Sequence, residues 1–141
     1  MPRADFYLVA KPRFREQPLR LVCELVRKAY GADLWTLVLA RDTAQAESLD
    51  DLLWDMGEDE YIPHQIAGRD EEDEVTPVLI ADPQADAPMR PLVINLRDAP
   101  VAGGFERVLE VVPADESARG PLRERWKHYK AQGIEPNKYD M

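Results

Sequence analysis

Cysteine is almost absent: Cys23 is the only one in 141 residues. No internal disulfide framework can form, and most cysteine-based metal sites are excluded. Cys23 sits in the apolar run Leu21, Val22, Leu25, Val26, where it reads as a small core residue. Histidine is nearly as scarce. His64 and His128 lie far apart with no H-x-x-x-H spacing, and no nucleophile-elbow spacing exists, so zinc and triad chemistry lack their partners. No stretch approaches the roughly 18 apolar residues of a membrane span. Met1-Pro2-Arg3-Ala4-Asp5 leads straight into Phe6-Tyr7-Leu8-Val9 rather than into a signal-peptide core, so a cytoplasmic chain with no membrane partner is expected. Positive charge is in deficit, 18 Lys and Arg against 27 Asp and Glu, for a net charge of −9. The average field therefore repels a phosphate backbone, and any role near DNA is expected to be indirect. Glycine is missing from the loop after the first strand, Lys11 to Pro18, so neither a dinucleotide fingerprint nor a phosphate-cradling loop stands where it should, and no cofactor is expected.

What is there suits one folded domain spanning residues 1–141, with 45% hydrophobic residues to form its core. Phe6 to Val9 reads as a buried strand, and Lys11 to Pro18 as a loop. Leu21, Val22, Leu25, Val26 and Ala29 recur at spacings of three and four, which predicts a helix over Leu19 to Tyr30 with Gly31 as its stop. Leu34 to Ala40 is almost unbroken apolar chain, the mark of a strand covered on both faces of a parallel sheet. Asp42 is a natural cap for a helix ending between Trp54 and Gly57. The acidic stretch Asp70 to Glu74 cannot share a packed interior and is expected as an exposed, mobile loop. Pro77 to Ala81, Pro91 to Leu96 and Arg107 to Val112 read as further strands, and Asp115 or Ser117 caps a last helix that runs to about Gly133. The sum is an α/β fold, Rossmann-like, with a largely parallel central sheet and helices on both faces.

The last helix carries the clearest chemistry. Arg119, Arg123, Arg125, Lys127 and Lys130 face only Glu124 in a chain otherwise dominated by acid. Arg119, Arg123, Lys127 and Lys130, at spacings of four, four and three, form one stripe, with Trp126 and Tyr129 beside it. At physiological salt charges are screened beyond about 8 Å, so such a patch acts against the global sign. Two readings follow: an ordinary solvated face paired with nearby acids, or a receptor for an anion, of which a peptide's terminal carboxylate suits the guanidinium fork best. A different class of function, a small metal-dependent hydrolase or nucleotide-binding enzyme, would use Asp82 and Asp98 at the ends of their strands. Turn chemistry beside proline accounts for those aspartates equally well.

Several segments in order also resemble one family. Phe6-Tyr7-Leu8, the helix Gln45-Ala46-Glu47 to Leu53-Trp54, Pro63-His64-x-Ile66-Ala67-Gly68, Leu92-Val93-Ile94-Asn95-Leu96 and Arg123-Glu124-Arg125-Trp126-Lys127-x-Tyr129-Lys130 are similar to the chi subunit of DNA polymerase III. The resemblance runs from Phe6 to about Gly133. It implies a non-catalytic accessory subunit without a nucleotide site, which binds the psi subunit of the clamp loader complex and the C-terminal tail of single-stranded DNA-binding protein, SSB. That tail is acidic and ends in Pro-Phe with a free carboxylate. Carried over residue by residue, its pocket is Trp54, Tyr61, Pro63, Val112, Arg123, Trp126 and Lys127, with His64 and Gly68 at the rim. Trp54 and Val112 are also what a core would hold, Pro63 suits a turn, and His64 suits a backbone carbonyl; Arg123 is the least explained by structure alone. Ile66 stands where the family usually has leucine, Trp126 where it often has tyrosine, and the acidic stretch is unusual. That stretch is expected to lie away from the basic helix, where it would otherwise compete with an acidic ligand. The resemblance specifies no contacts for psi.

Overall fold

Alternation of apolar residues on the strands builds two cores, one on each side of a single sheet. The computed structural model describes residues 2–55, 62–68 and 73–141. Seven parallel strands lie in the order β3-β4-β2-β5-β6-β1-β7: β1 (Arg3–Leu8), β2 (Thr36–Leu39), β3 (His64–Ile66), β4 (Val78–Ala81), β5 (Leu92–Asn95), β6 (Arg107–Val112) and β7 (Glu135–Asp140). Val38, Ile80, Ile94 and Leu109 share one face through the registers Val38↔Ile80, Val38↔Ile94 and Ile94↔Leu109. There they meet α2 (Pro18–Gly31) and α3 (Thr43–Trp54). Leu37, Leu79, Val93 and Val108 point the other way, towards Val101 and Phe105 of the segment between β5 and β6 and towards Tyr129 of α4 (Arg119–Ala131). The α/β fold with helices on both faces is as the sequence predicts.

Three local departures have physical reasons. The stretch expected as a loop after β1 contains α1 (Pro12–Glu16), begun by a proline whose missing N–H is no loss there and anchored by buried Phe14. β3 and β7 were hidden because both are sheet edges: β3 is three residues long, and β7 is the polar, mostly exposed run Glu-Pro-Asn-Lys-Tyr-Asp. Asp115 caps a single 3-10 turn, Glu116–Ala118, by accepting from the Ser117 N–H at 3.1 Å, and α4 proper follows from Arg119. Its end is closed at Gly133, φ 77°, with the Ile134 N–H bonded to the Tyr129 carbonyl.

Candidate functional site

A cleft of about 770 Å³ opens where the C-terminal ends of β1, β6 and β7 meet the first half of α4. Phe6 is in register with Glu110 and Lys138, and Leu8 with Val112 and Asp140. Strand side chains alternate, so these residues share the α4 face of the sheet. Phe6, Leu8 and Val112 make an apolar floor, with Leu122 and half-buried Trp126 as the α4 wall. The Trp126 ring packs against Phe6 with centroids 5.2 Å apart. Around this hollow stand five basic residues, Arg15, Arg119, Arg123, Lys127 and Lys138, against two acids, Asp115 and Asp140, a local excess of positive charge in a chain of net charge −9.

The rotation of α4 is set from its buried side. Arg125, 3% exposed, lies 2.8 Å from Glu110 of β6, which is fully buried. The Nε–H is poorly aimed at that oxygen, so the contact is an ion pair rather than a directed hydrogen bond. Tyr129 donates to Glu110 Oε2 at 2.5 Å and accepts from the Val101 N–H at 2.9 Å. Asn95 Nδ2 donates to both Glu110 oxygens. Burial pushes the Glu110 carboxyl above the ordinary glutamate range, and Arg125, Tyr129 and Asn95 pull it back. Burial, with Glu110 beside it, also raises the Tyr129 hydroxyl. Arg125 and Tyr129 are turned to the sheet, and Arg123, Trp126 and Lys127, on other sides of the helix, line the cleft. Tyr129, expected beside Trp126 on the presenting face, is therefore core.

The structure brings together four of the residues implied as one pocket: Val112, Arg123, Trp126 and Lys127. Among the described residues, Arg119, Arg123 and Lys127 have no ion pair with this chain's own acids. Trp54, Pro63, His64 and Gly68 are elsewhere. They belong to α3 and to β3 with its flanks, at the opposite edge of the sheet from β1 and β7. Four strand spacings separate β3 from β6, about 19 Å. One phenylalanine cannot touch Trp54, Pro63, Val112 and Trp126 together, so the single-pocket assignment is corrected to two separate surfaces. Chain order hides this distance because β3 is added outside β4, away from β1.

At that second surface His64 ties β3 to α3. Its buried ring contacts the Ile62 carbonyl at 2.7 Å and both the carbonyl and carboxylate of Asp50 at 3.2 Å. The Trp54 ring, on a residue 57% exposed, stands 5.1 Å from it. Gly68, φ 85°, gives its N–H to the Asp73 carboxylate at 3.0 Å. Tyr61 lies outside the described residues. So do residues 70–72 of the acidic stretch; its end, Asp73 and Glu74, is a short 3-10 turn at the β3 and β4 edge.

The aspartates of the rival enzyme reading have structural partners. Asp82 accepts the Gln84 and Ala85 N–H groups at 3.0 and 2.9 Å, and Asp98 pairs with Arg41 at 3.2 Å. Among the described residues no group of three or more His, Cys, Asp or Glu is placed to hold a metal. No helix of the described residues is long and apolar enough to cross a membrane. Sequence reading had Arg119 in the cationic stripe without assigning it to the pocket, and it missed Arg15 and Lys138, which reach the cleft from α1 and β7.

Known proteins share the fold, and others share the sequence. The C-terminal domain of the DEAD-box protein Dbp5 superposes with a TM-score of 0.69 over 99% of this chain and 90% of that one, at 15% identity, a likeness of fold alone. A Saccharomyces cerevisiae Dbp5 complex gives 0.65 at 16% identity, covering 97% of this chain and 41% of that one. Sequence relatives are closer. The DNA polymerase III subunit chi of Pseudomonas aeruginosa is 34% identical, covering 94% of this chain and 92% of the relative. That of Escherichia coli K12 is 33% identical over 84% and 82%, and that of Haemophilus influenzae 27% identical over 80% of each. The family model for the DNA polymerase III chi subunit, HolC, matches residues 1–137. This chain belongs to the DNA polymerase III chi subunit family.

Proposed function

We propose that this chain is a non-catalytic, cytoplasmic bridge in the replication machinery, acting as one unit that holds the SSB tail in the α4 cleft and psi on a second surface. The observation that carries the reading is the row of α4 cations, Arg119, Arg123 and Lys127, beside an apolar hollow on a strongly acidic protein. An acidic peptide with an apolar end and a free carboxylate matches each part of it. Burying a terminal Phe against Phe6, Val112 and Trp126 contributes about 1.5–3 kcal/mol. A charge-assisted hydrogen bond from Arg123 to the carboxylate contributes about 1.5–3 kcal/mol more, with Lys127 as a point charge for residues upstream. Affinity is moderate and falls with salt.

A bridge needs two surfaces that do not overlap. The exposed Trp54 beside Pro63 and His64, at the other edge of the sheet, supports the assignment of psi to that side. DNA is then reached only through SSB. Co-elution of this chain with psi, followed by titration of an SSB tail peptide into the complex, tests the arrangement. Equal peptide affinity with and without psi is expected, and mutual exclusion would refute it.

A further inference from the structure

The α4 stripe is only one side of the cleft. Across the floor, β7 sends Lys138 to the same face of the sheet as Phe6, its register partner. α1, held by buried Phe14, adds Arg15 to the lining. Neither makes an ion pair within this chain among the described residues. Arg13, the other cation in the last turn of α1, is by contrast 3.7 Å from Glu24.

We propose that Arg15 and Lys138 form a second cationic wall, which selects an acidic extended peptide by gripping its carboxylates upstream of the terminal residue. The proposal rests on the tail-binding reading of the cleft and deepens it. Arg119, Arg123 and Lys127 on α4 explain capture of a terminal carboxylate with its neighbours from one side. They do not explain two more cations on separate elements, converging on the same hollow from the other side. An extended chain offers successive side chains in opposite directions. A peptide lying over the floor therefore turns alternate carboxylates to α4 and to the Arg15 and Lys138 side. Asp140, in register with Leu8 on that same wall, opposes the acidic ligand and limits the grip.

The test uses fluorescence anisotropy with two labelled peptides, both ending in Pro-Phe with a free carboxylate. One carries Asp residues upstream, and the other Asn at the same places. Arg15→Ala and Lys138→Ala should each weaken the acidic peptide about two- to fivefold, the scale of exposed ion pairs, and leave the Asn peptide unchanged. Arg15→Lys should retain most of the binding, and Asp140→Asn should tighten the acidic peptide alone. Equal weakening of both peptides, or no weakening of either, overturns the second wall while leaving the tail site standing. Failure of the unaltered protein to bind the acidic peptide overturns the site and the wall together.

Discussion

Removing Arg125 exposes how much the cleft depends on what lies beneath α4. In Arg125→Met the apolar side chain fills much of the same space, but Glu110 keeps its place in the core with no cation beside it. Breaking a buried pair from one side typically costs about 3–5 kcal/mol, because the remaining charge is uncompensated. Here Tyr129 and Asn95 still donate to Glu110, which puts the expected loss at the lower end, about 3 kcal/mol. Urea unfolding followed by tryptophan fluorescence measures it. Adding Glu110→Gln should recover much of the loss, since the amide oxygen still accepts from Tyr129 and Asn95 without a charge. The pH dependence has a definite sign. Burial raises the Glu110 pKa in the folded state, and loss of Arg125 raises it further, so the folded variant holds its proton more tightly than the unfolded chain does. The deficit of Arg125→Met is therefore smallest in acid and grows as pH rises through the folded pKa. A loss below about 1 kcal/mol, or a deficit that grows on acidification, would refute the role given to this pair.

Two further outcomes are expected. Trp54→Ala, on a residue 57% exposed, should change stability by less than about 1 kcal/mol and leave tail-peptide affinity unchanged while abolishing co-elution with psi; a weakened tail peptide would return Trp54 to the cleft. Burial pushes the Cys23 thiol up to about 11, so at pH 8 only about one thiol in a thousand is thiolate. Native protein should react with a thiol reagent far more slowly than unfolded protein, and rapid native labelling would contradict the buried position.

The elements with strong periodicity were legible from the chain itself. The α2 stripe and the apolar row of β2 are each the direct imprint of a buried face, and Asp42 caps α3 by accepting the Gln45 N–H at 2.7 Å. The four-residue spacing of Arg119, Arg123 and Lys127 likewise fixed the cationic side of α4. What escaped was set by tertiary placement. Nothing local to β7 says that a polar hexapeptide completes a sheet, and nothing in Arg15 says that α1 folds over the end of β1. Tyr129 looked like a partner of Trp126, yet its hydroxyl is committed to Glu110, nineteen positions away in sequence. The grouping of Trp54 and Pro63 with Trp126 failed for the same reason, because nothing local says that β3 is added at the far edge of the sheet.

Calorimetric titration with a peptide copying the SSB C-terminus, with and without its last Phe, tests the central claim most directly. The full peptide should bind at least about tenfold more tightly than the truncated one, and Arg123→Ala should weaken the full peptide by about tenfold or more. Equal binding of the two peptides, or indifference to Arg123→Ala, would contradict the cleft as the receptor for that tail.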